Sequence, residues 1–299
     1  MDQLLAIRSF IRVAETGSFS RAADSLNMPK STVSKLIKEL EGHVGARLLQ
    51  RTTRRVSVTP DGTAYYDRTA RLIRELEDAD QSFSAEHVLP KGHIRIDVVG
   101  TLARLLIIPA LPEFFARYPD LQIDFGISDK SADLIGENID CVIRGGLTTD
   151  ESMVARLLGT TSWTTCATPG YLENYGRPVH PSDLLLNHRI IGFHSPNSGR
   201  PMPSRFMQND ELIEIDGPYF VSVNDGAARA VAGLAGIGIL QTFSYVIKNQ
   251  IANGSLVPIL EDWNQPPYPF HVIYPQNRAL SRRVRVFIDW VVELFDRLD

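Results

Sequence analysis

Cysteine is almost missing from this chain: Cys141 and Cys166 are its two thiols in 299 residues. They show neither CxxC spacing nor a spaced His pair, so no metal site is expected, and they read as reduced, buried thiols. Long apolar runs are missing too. No stretch approaches the roughly eighteen uninterrupted apolar residues that argue for a membrane-spanning helix. The first residues, MDQLLAIRSFIRVAET, carry Asp2, Arg8 and Arg12 where a secretory signal would be apolar. The expectation is a cytoplasmic protein with no membrane association. The common catalytic signatures are absent as well: there is no P-loop, GxSxG or HExxH. The glycine-rich run Gly233–Gly238 does not follow a strand and reads as a helix-to-strand turn, not a dinucleotide fingerprint. No catalytic residue, metal or resident cofactor is predicted, and no internal repeat or low-complexity tract is found.

What is present is the balance of a globular protein, 43% apolar and 22% charged, long enough for two or three domains. The net charge of −4 hides an uneven distribution. Residues 1–58 hold ten Lys/Arg against five Asp/Glu, whereas the remainder holds 21 against 30. A basic head on an acidic body places any phosphate-binding surface in the head.

Within the head, Ser18–Glu41 reads as two short helices and a tight turn. The first has Ala22, Ala23 and Leu26 on one face; the turn is Asn27-Met28; Pro29 suits the first helical turn, where an N–H is not needed. The second buries Val33, Leu36, Ile37 and Leu40 and presents Lys30, Ser31, Thr32, Ser34, Lys35 and Lys38. A short polar, basic front on an apolar back suits a DNA major groove; a solvated lysine face is the plain alternative. A preceding helix over 2–15 carries Leu4, Ile7, Phe10, Ile11 and Ala14 in a stripe, Gly17 ends it, and Gly42 and Gly45 break the run after Glu41. Arg47-Leu48-Leu49 and Val56-Ser57-Val58 flank QRTTRR as a short hairpin, with Arg51, Arg54 and Arg55 near its tip. Thr59-Pro60-Asp61 then opens a long helix to about Phe83, with Tyr65, Thr69, Leu72, Leu76, Ala79 and Phe83 spaced as a two-helix seam. A dimerisation helix is predicted, and His87–Gly92 is a hinge-like linker.

These residues resemble the winged helix-turn-helix of LysR-type transcriptional regulators. The similarity is carried by Phe10, Val13, Ala14, Gly17, Ser18, Ala22, Ala23, Leu26, Ser31, Val33, Ser34, Ile37, Leu40 and Glu41, then Leu48, Leu49, Arg51, Thr52, Arg54, Thr59, Gly62 and Tyr65. Lys30 departs from the pattern, since many relatives have glutamine there, so base preference is not carried over at that position. Ser18, Ser20 and Arg21, at the start of the first helix, join the DNA-binding set together with Pro29. The resemblance implies double-stranded DNA with dyad-related half-sites, a homodimer or homotetramer, and RNA polymerase as a candidate partner.

From Ile94 the pattern changes to alternating strands and helices, an α/β domain with a mainly parallel sheet. Strands are expected at Ile94–Val98, Leu121–Ile127, Cys141–Arg144, Ser162–Ala167, Ile190–Phe193, Phe220–Val223, Ile237–Leu240, Val257–Leu260 and Phe270–Tyr274. Helices are expected at Arg104–Arg117, Ala132–Glu137, Pro169–Tyr175, Asp225–Leu234 and Ser281–Leu298. Segments such as PALPEFFARYPDLQID, DCVIRGG, CATPGYLENYG and VNDGAARAVAGLAGIGIL resemble the same family's effector-binding part, a two-lobed, periplasmic-binding-protein-like fold. That resemblance implies a head over 1–58, a linker helix and hinge over 59–91, a first lobe over 92–162 and 267–299, and a second over 163–266.

Ligands of such folds bind where strand ends meet helix N-termini. Thr101-Leu102, Ser128-Asp129, Arg144-Gly145-Gly146 and Asn224-Asp225-Gly226 fit, with His194, Ser195 and Asn197 on the opposite wall. The resemblance places effector contacts at Thr101, Ser128 and Asn224; Arg144 and His194 follow from the residues alone. Thr101, Ser128, Asn224 and Asp225 are equally able to cap helices, and Arg144 to pair with Asp129 or Asp140. Asp129 weighs against a simple anion site. The expected function is a sequence-specific DNA-binding regulator controlled by a small-molecule effector. The alternative is a two-lobed binding protein or enzyme with an accessory head.

Overall fold

The computed structural model describes residues 1–51, 56–82, 89–134, 136–137, 139–146, 150, 152–209, 211–217, 219–263, 265–276 and 280–297. The chain divides into two compact units, Met1–Val88 and Leu89–Asp299.

In the first unit α1 (Gln3–Thr16), α2 (Phe19–Ser25) and α3 (Lys30–Val44) close over one small core. Asp2 caps α1 by accepting from the Leu5 amide at 3.0 Å, and Ser18 caps α2. The buried face of α1 is Ala6, Ser9, Phe10 and Val13. This shifts the expected stripe: Leu4 is exposed, while Ile7 and Ile11 pack half-buried against the same core. Small residues at Ala6 and Ser9 let α2 and α3 approach, and the Ser9 hydroxyl is satisfied by the Leu5 carbonyl at 2.8 Å. Two further details differ from expectation. Pro29 stands one position earlier, as the N-cap of α3, and Gly42 does not break the helix. Gly45 ends it, in the left-handed conformation at φ 76°.

The wing strands β1 (Leu49–Arg51) and β2 (Val56–Val58) are antiparallel. Helix α4 (Pro60–Ser82) follows, with Thr59 Oγ1 accepting from the Gly62 amide at 2.9 Å. Its first turns pack on the head: Tyr65 meets Phe10 edge-on at 5.8 Å, and Thr69 is buried. Farther along, Leu72 and Leu76 are exposed. Phe83 lies outside the described residues, as does the start of the His87–Gly92 linker.

The second unit begins with β3 (Gly92–Val98). A continuous helical run then contains α5 (Gly100–Leu102), a π-helical turn (Ala103–Ile107) and α6 (Ile108–Arg117). Next come β4 (Leu121–Ile127), β5 (Cys141–Gly145) and β6 (Met153–Thr161). In the second lobe lie β7 (Trp163–Ala167), α7 (Pro169–Tyr175), a 3₁₀ turn (Pro181–Leu185), β8 (Ile190–His194), β9 (Pro201–Met202), β10 (Ser204–Gln208), β11 (Glu211–Ile215), β12 (Tyr219–Val223), α8 (Gly226–Leu234), β13 (Leu240–Phe243), α9 (Ser244–Ala252) and β14 (Val257–Pro258). The chain returns through β15 (Tyr268–Pro275) and ends in α10 (Arg282–Phe295).

The first lobe is a five-stranded sheet, order β4-β3-β5-β15-β6. The expected parallel sheet is therefore mixed: β3 runs parallel to β4 and β5, but β15 is antiparallel to both of its neighbours. Its core joins Ile94, Ile96 and Val98 to Phe114, Phe287 and Trp290, with Phe114 tilted against Trp290 at 4.9 Å. The second lobe holds two three-stranded sheets, β13-β7-β14 and β12-β8-β9, and the hairpin β10-β11.

Three local expectations are corrected, and further elements appear. The described residues of the span expected as a helix are not helical: Leu134, Gly136 and Glu137 lie in turns, and the Asp133 carboxylate takes the Gly136 amide at 2.9 Å, competing with helix formation. The strand expected at Ile237–Leu240 lies at Leu240–Phe243, with Ile239 making a single bridge to Ile190. The helix expected from Arg104 begins at Gly100. Hairpin β10-β11, whose turn residue Asn209 has φ 48°, and helix α9 are absent from the sequence reading.

Gly62 sits where a β-carbon would overlap the Leu48 carbonyl oxygen and press on Val58. Because the clash is with backbone, it has no flexible neighbour to relieve it. Gly62→Ala is expected to destabilise the head by about 2 kcal/mol, read as an earlier melting transition by circular dichroism; an unchanged melt would show that the wing base is pliable.

Candidate DNA-binding head and effector cleft

Four apolar residues of α3, Val33, Leu36, Ile37 and Leu40, are buried. The opposite face leaves Lys30, Ser31, Lys35 and Lys38 exposed and Thr32 and Ser34 at the margin. Lys35 approaches Glu39 at 3.9 Å, but both are so exposed that the pair holds neither side chain firmly. Ser20 is exposed on α2. Ser18 and Arg21 have local structural work: the Ser18 hydroxyl accepts from the Arg21 amide at 3.4 Å, and the Arg21 guanidinium donates to the Thr16 carbonyl. Arg51 ends β1, while Arg54 and Arg55 lie outside the described residues.

Glu41 carries no predicted role of its own in the sequence. In the fold its Oε1 accepts from the amides of Leu48 at 2.9 Å and Leu49 at 3.0 Å. Thr59 adds a second tie, with its amide donating to the Leu48 carbonyl at 3.0 Å and its hydroxyl to the Arg47 carbonyl at 2.6 Å. The end of α3, the base of the wing and the start of α4 thus form one braced junction. Such a role is invisible to periodicity, since the acceptor and its two donors are joined only by the fold.

In the body, several predicted residues converge on one seam between the lobes. The Asp129 carboxylate accepts from the Gly100 amide at 2.9 Å and from the Gly226 amide at 3.0 Å. The Thr101 hydroxyl is 2.7 Å from the Tyr245 hydroxyl. Burial pushes the Tyr245 phenol well above its ordinary range, so it stays protonated there. Asp225 caps α8 by accepting from Ala228 at 2.7 Å and stands 4.0 Å from Arg104. The Ser131 amide donates to Asn197 Oδ1 at 2.8 Å, and Asn197 Nδ2 donates to the Ser131 hydroxyl at 2.8 Å. Asn224 is exposed, next to the Asp225 cap. His194 is 3.1 Å from the Ser222 hydroxyl at the ends of β8 and β12.

Three assignments change. Leu102 is fully buried in the first lobe's core, so its side chain does not line the seam. Arg144 pairs with neither Asp129 nor Asp140. Its guanidinium pairs with buried Asp97 and donates to the Lys130 carbonyl at 2.9 Å, which makes it a brace for the Ser128–Lys130 loop and commits it away from a ligand. Ser128 Oγ accepts from the Lys130 amide at 3.0 Å, shaping the same loop, while the residue remains exposed. Arg104, Tyr245 and Asp97 escape the sequence reading: Arg104 and Tyr245 lie within helical segments, and Asp97 lies inside β3, before its last residue. A groove of about 580 Å³ opens beside the seam, along Ser162, Trp163, Thr164, Ser244, Tyr245 and Lys248. Among the described residues no group of three His, Cys, Asp or Glu side chains is arranged to hold a metal, and no helix is long and apolar enough to cross a membrane.

Both cysteines are buried, Cys141 on β5 and Cys166 on β7. Burial raises the Cys166 thiol from 9.0 to about 12 and pushes Cys141 up as well. The neutral thiol is favoured in the folded state, so this contribution to stability is full below pH 9 and is lost as pH rises toward 12. At pH 8 the native protein is expected to release almost no colour with a thiol-exchange reagent over minutes, and two equivalents in denaturant. Rapid native labelling would show an open route to one of them.

A family model described as bacterial regulatory helix-turn-helix protein, lysR family, matches residues 4–63, and one described as LysR substrate binding domain matches 87–296. The HTH-type transcriptional repressor PA14_22550 of Pseudomonas aeruginosa is 39% identical, covering 99% of this chain and 93% of its own length. The solved structure of CrgA, a LysR-type transcriptional regulator from Neisseria meningitidis, is 31% identical with a TM-score of 0.61, covering 97% of each chain. The full-length structure of the Vibrio cholerae virulence activator AphB is 25% identical with a TM-score of 0.60, covering 97% of this chain and 98% of its own. Glu41→Ala is expected to weaken site-specific DNA binding by about tenfold, and Glu41→Gln, which keeps an acceptor oxygen, by less. A filter-binding titration on the same DNA checks the order, and equal affinities for all three proteins would show that the Glu41 brace does not position the DNA-binding surface.

Proposed function

The chain is a member of the LysR family of transcriptional regulators, and on that premise we propose which of its surfaces read DNA and which sense the effector. The carrying observation is the exposed Lys30–Lys38 face of α3 over its buried apolar back, braced to the wing by Glu41. In this reading α3 enters the major groove. Ser31, Thr32, Ser34 and Lys35 face base edges, and Lys30 and Lys38, with the wing arginines, face phosphate. Ser18, Ser20, Arg21 and Pro29 lie around the start of the motif, where they support backbone contacts.

The exposed pair Leu72 and Leu76 on α4 supports dimerisation through that helix, with Tyr65 partly engaged by the head. A dimer presents two recognition helices and calls for a dyad operator. Association of effector domains to a homotetramer, contact with RNA polymerase and a cytoplasmic location belong to the same reading. The seam between the lobes, around Thr101, Asp129, Asn224 and Asp225, is the effector cleft, and a small molecule that changes lobe closure alters how the heads engage DNA.

Ser34→Ala with Lys35→Ala is expected to abolish the protected footprint on DNA upstream of the gene while the melting curve of the body stays in place; a persisting footprint would exclude α3 as the reader. Lys38→Ala is expected to weaken specific and non-specific DNA alike and to reduce the salt slope of log K by about one. For the dimer, Leu72→Glu is expected to shift sedimentation toward the monomer, and an unchanged oligomer would move the interface elsewhere.

A further inference from the structure

Two helical runs in different lobes point their first amides at the same place. Gly100 opens the run that continues to Arg117, and Gly226 opens α8. Free N-terminal amides with a positive helix end favour an anion. The group seated there is the chain's own Asp129 carboxylate, with one oxygen on each amide at 2.9 and 3.0 Å. Asp129 is held in this position from its own lobe. The Ser128 hydroxyl takes the Lys130 amide, and Arg144, paired with Asp97, takes the Lys130 carbonyl. The loop is therefore shaped by contacts independent of the second lobe, so little ordering is left to be done when the Gly226 amide arrives.

Three further contacts cross the same seam: Thr101 with Tyr245, Arg104 with Asp225, and Ser131 with Asn197. They come from different elements of both lobes. The bridge that a free carboxylate would supply between the two helix starts is occupied by the Asp129 side chain.

We propose that Asp129 is a built-in competitor for anions that holds the lobes closed and sets the specificity of this cleft. It excludes small monocarboxylates, which add charge beside it and meet amides already taken. A ligand recognised in the cleft must either displace this tethered carboxylate or use the neutral hydroxyl and amide groups around it. The tether matters because an intramolecular group acts at an effective concentration of millimolar or more. This deepens the cleft assignment above and rests on it only for its bearing on regulation.

Hydrogen exchange followed by mass spectrometry on the full-length chain, without DNA or effector, tests the bridge directly. In wild type, peptides containing Gly100 and Gly226 are expected to be protected, and sodium formate at constant ionic strength is expected to leave them unchanged. In Asp129→Ala both are expected to exchange at least tenfold faster, and formate, the size of the deleted carboxylate, is expected to restore protection where chloride does not. Asp129→Asn conserves volume and one acceptor oxygen; it is expected to lose protection at one of the two amides and provides the folded comparison if the alanine variant is unstable. Unchanged protection at both amides in the variants that fold, or the same formate response in wild type as in Asp129→Ala, would overturn the proposal. Neither result would touch the effector-cleft reading, which stands or falls on whether effector-dependent DNA binding is altered by substitutions at Asn224.

Discussion

A carboxylate shared between two backbone amides is the contact on which the working arrangement of the body depends. Asp129 accepts from Gly100 in one lobe and Gly226 in the other. The other polar cross-seam contacts are hydroxyl and amide pairs or, for Arg104 and Asp225, a 4.0 Å approach between half-exposed groups, beside the ring packing of Phe243 and Tyr245 on Tyr268 and Phe270. Bonds from neutral donors to an ionised acceptor are the stronger kind, roughly twice a neutral pair. Both amides stand at helix starts, where no intrahelical carbonyl is available to them. Loss of the shared carboxylate leaves two donors unsatisfied in a half-buried seam, so the remaining contacts carry a closure they do not themselves create.

The head solves its own assembly problem with the same chemistry. Glu41 offers one oxygen to two successive amides, Leu48 and Leu49, at the point where the chain leaves α3 for the wing. In that tight connection a side-chain acceptor stands in for the carbonyl that a helix or ladder would supply. The result is a wing whose base is fixed by the recognition helix and whose far strand is fixed by Thr59 and the space reserved at Gly62. The wing, α3 and α4 are thereby mechanically linked, since neither strand base moves without disturbing a bond to α3 or α4. In both units a single carboxylate serves two backbone amides and sets the local geometry.

Most of the architecture is legible in the residues because it depends on periodicity and on caps. The apolar back of α3, the Thr59 cap and the strands that alternate with helices are local patterns, and local patterns survive folding. What is not legible depends on partners distant in the chain. The stripe of α1 is shifted: Leu4 is as apolar as the residues that face the core yet stays exposed, Ile7 and Ile11 reach that core half-buried, and only the approach of α2 and α3 brings Ala6 and Ser9 fully into it. The segment around Asp133 and Gly136 has helical composition, but a carboxylate hydrogen bond from the Gly136 amide to Asp133 outcompetes the helix. At the candidate cleft, the strand-end rule locates Thr101, Asp129 and Asp225, yet it cannot distinguish Leu102, which turns into the core, from Thr101 next to it. Nor can it reveal that Arg144 is committed to Asp97, a residue on the neighbouring strand β3, to which β5 pairs in parallel register.

That commitment of Arg144 bears on how a ligand can act at all. A ligand shifts a two-state equilibrium only by its difference in affinity for the two states. In a cleft whose amides are empty, closure itself creates the binding contacts, and tight binding and closure are one event. Here closure contacts exist beforehand, and the loop that carries Asp129 is pinned from behind by a buried ion pair. A ligand that only fills space beside the closed seam binds without changing the balance. To regulate, it must bind better to the arrangement in which the Asp129 bridge is broken, or add contacts that only the closed arrangement offers. The coupling available is bounded by the bridge: two charge-assisted hydrogen bonds, each worth about 1.5–3 kcal/mol, are enough to move the equilibrium by a hundredfold or more, at or above the upper end of the roughly 1–3 kcal/mol by which one ligand usually couples to another.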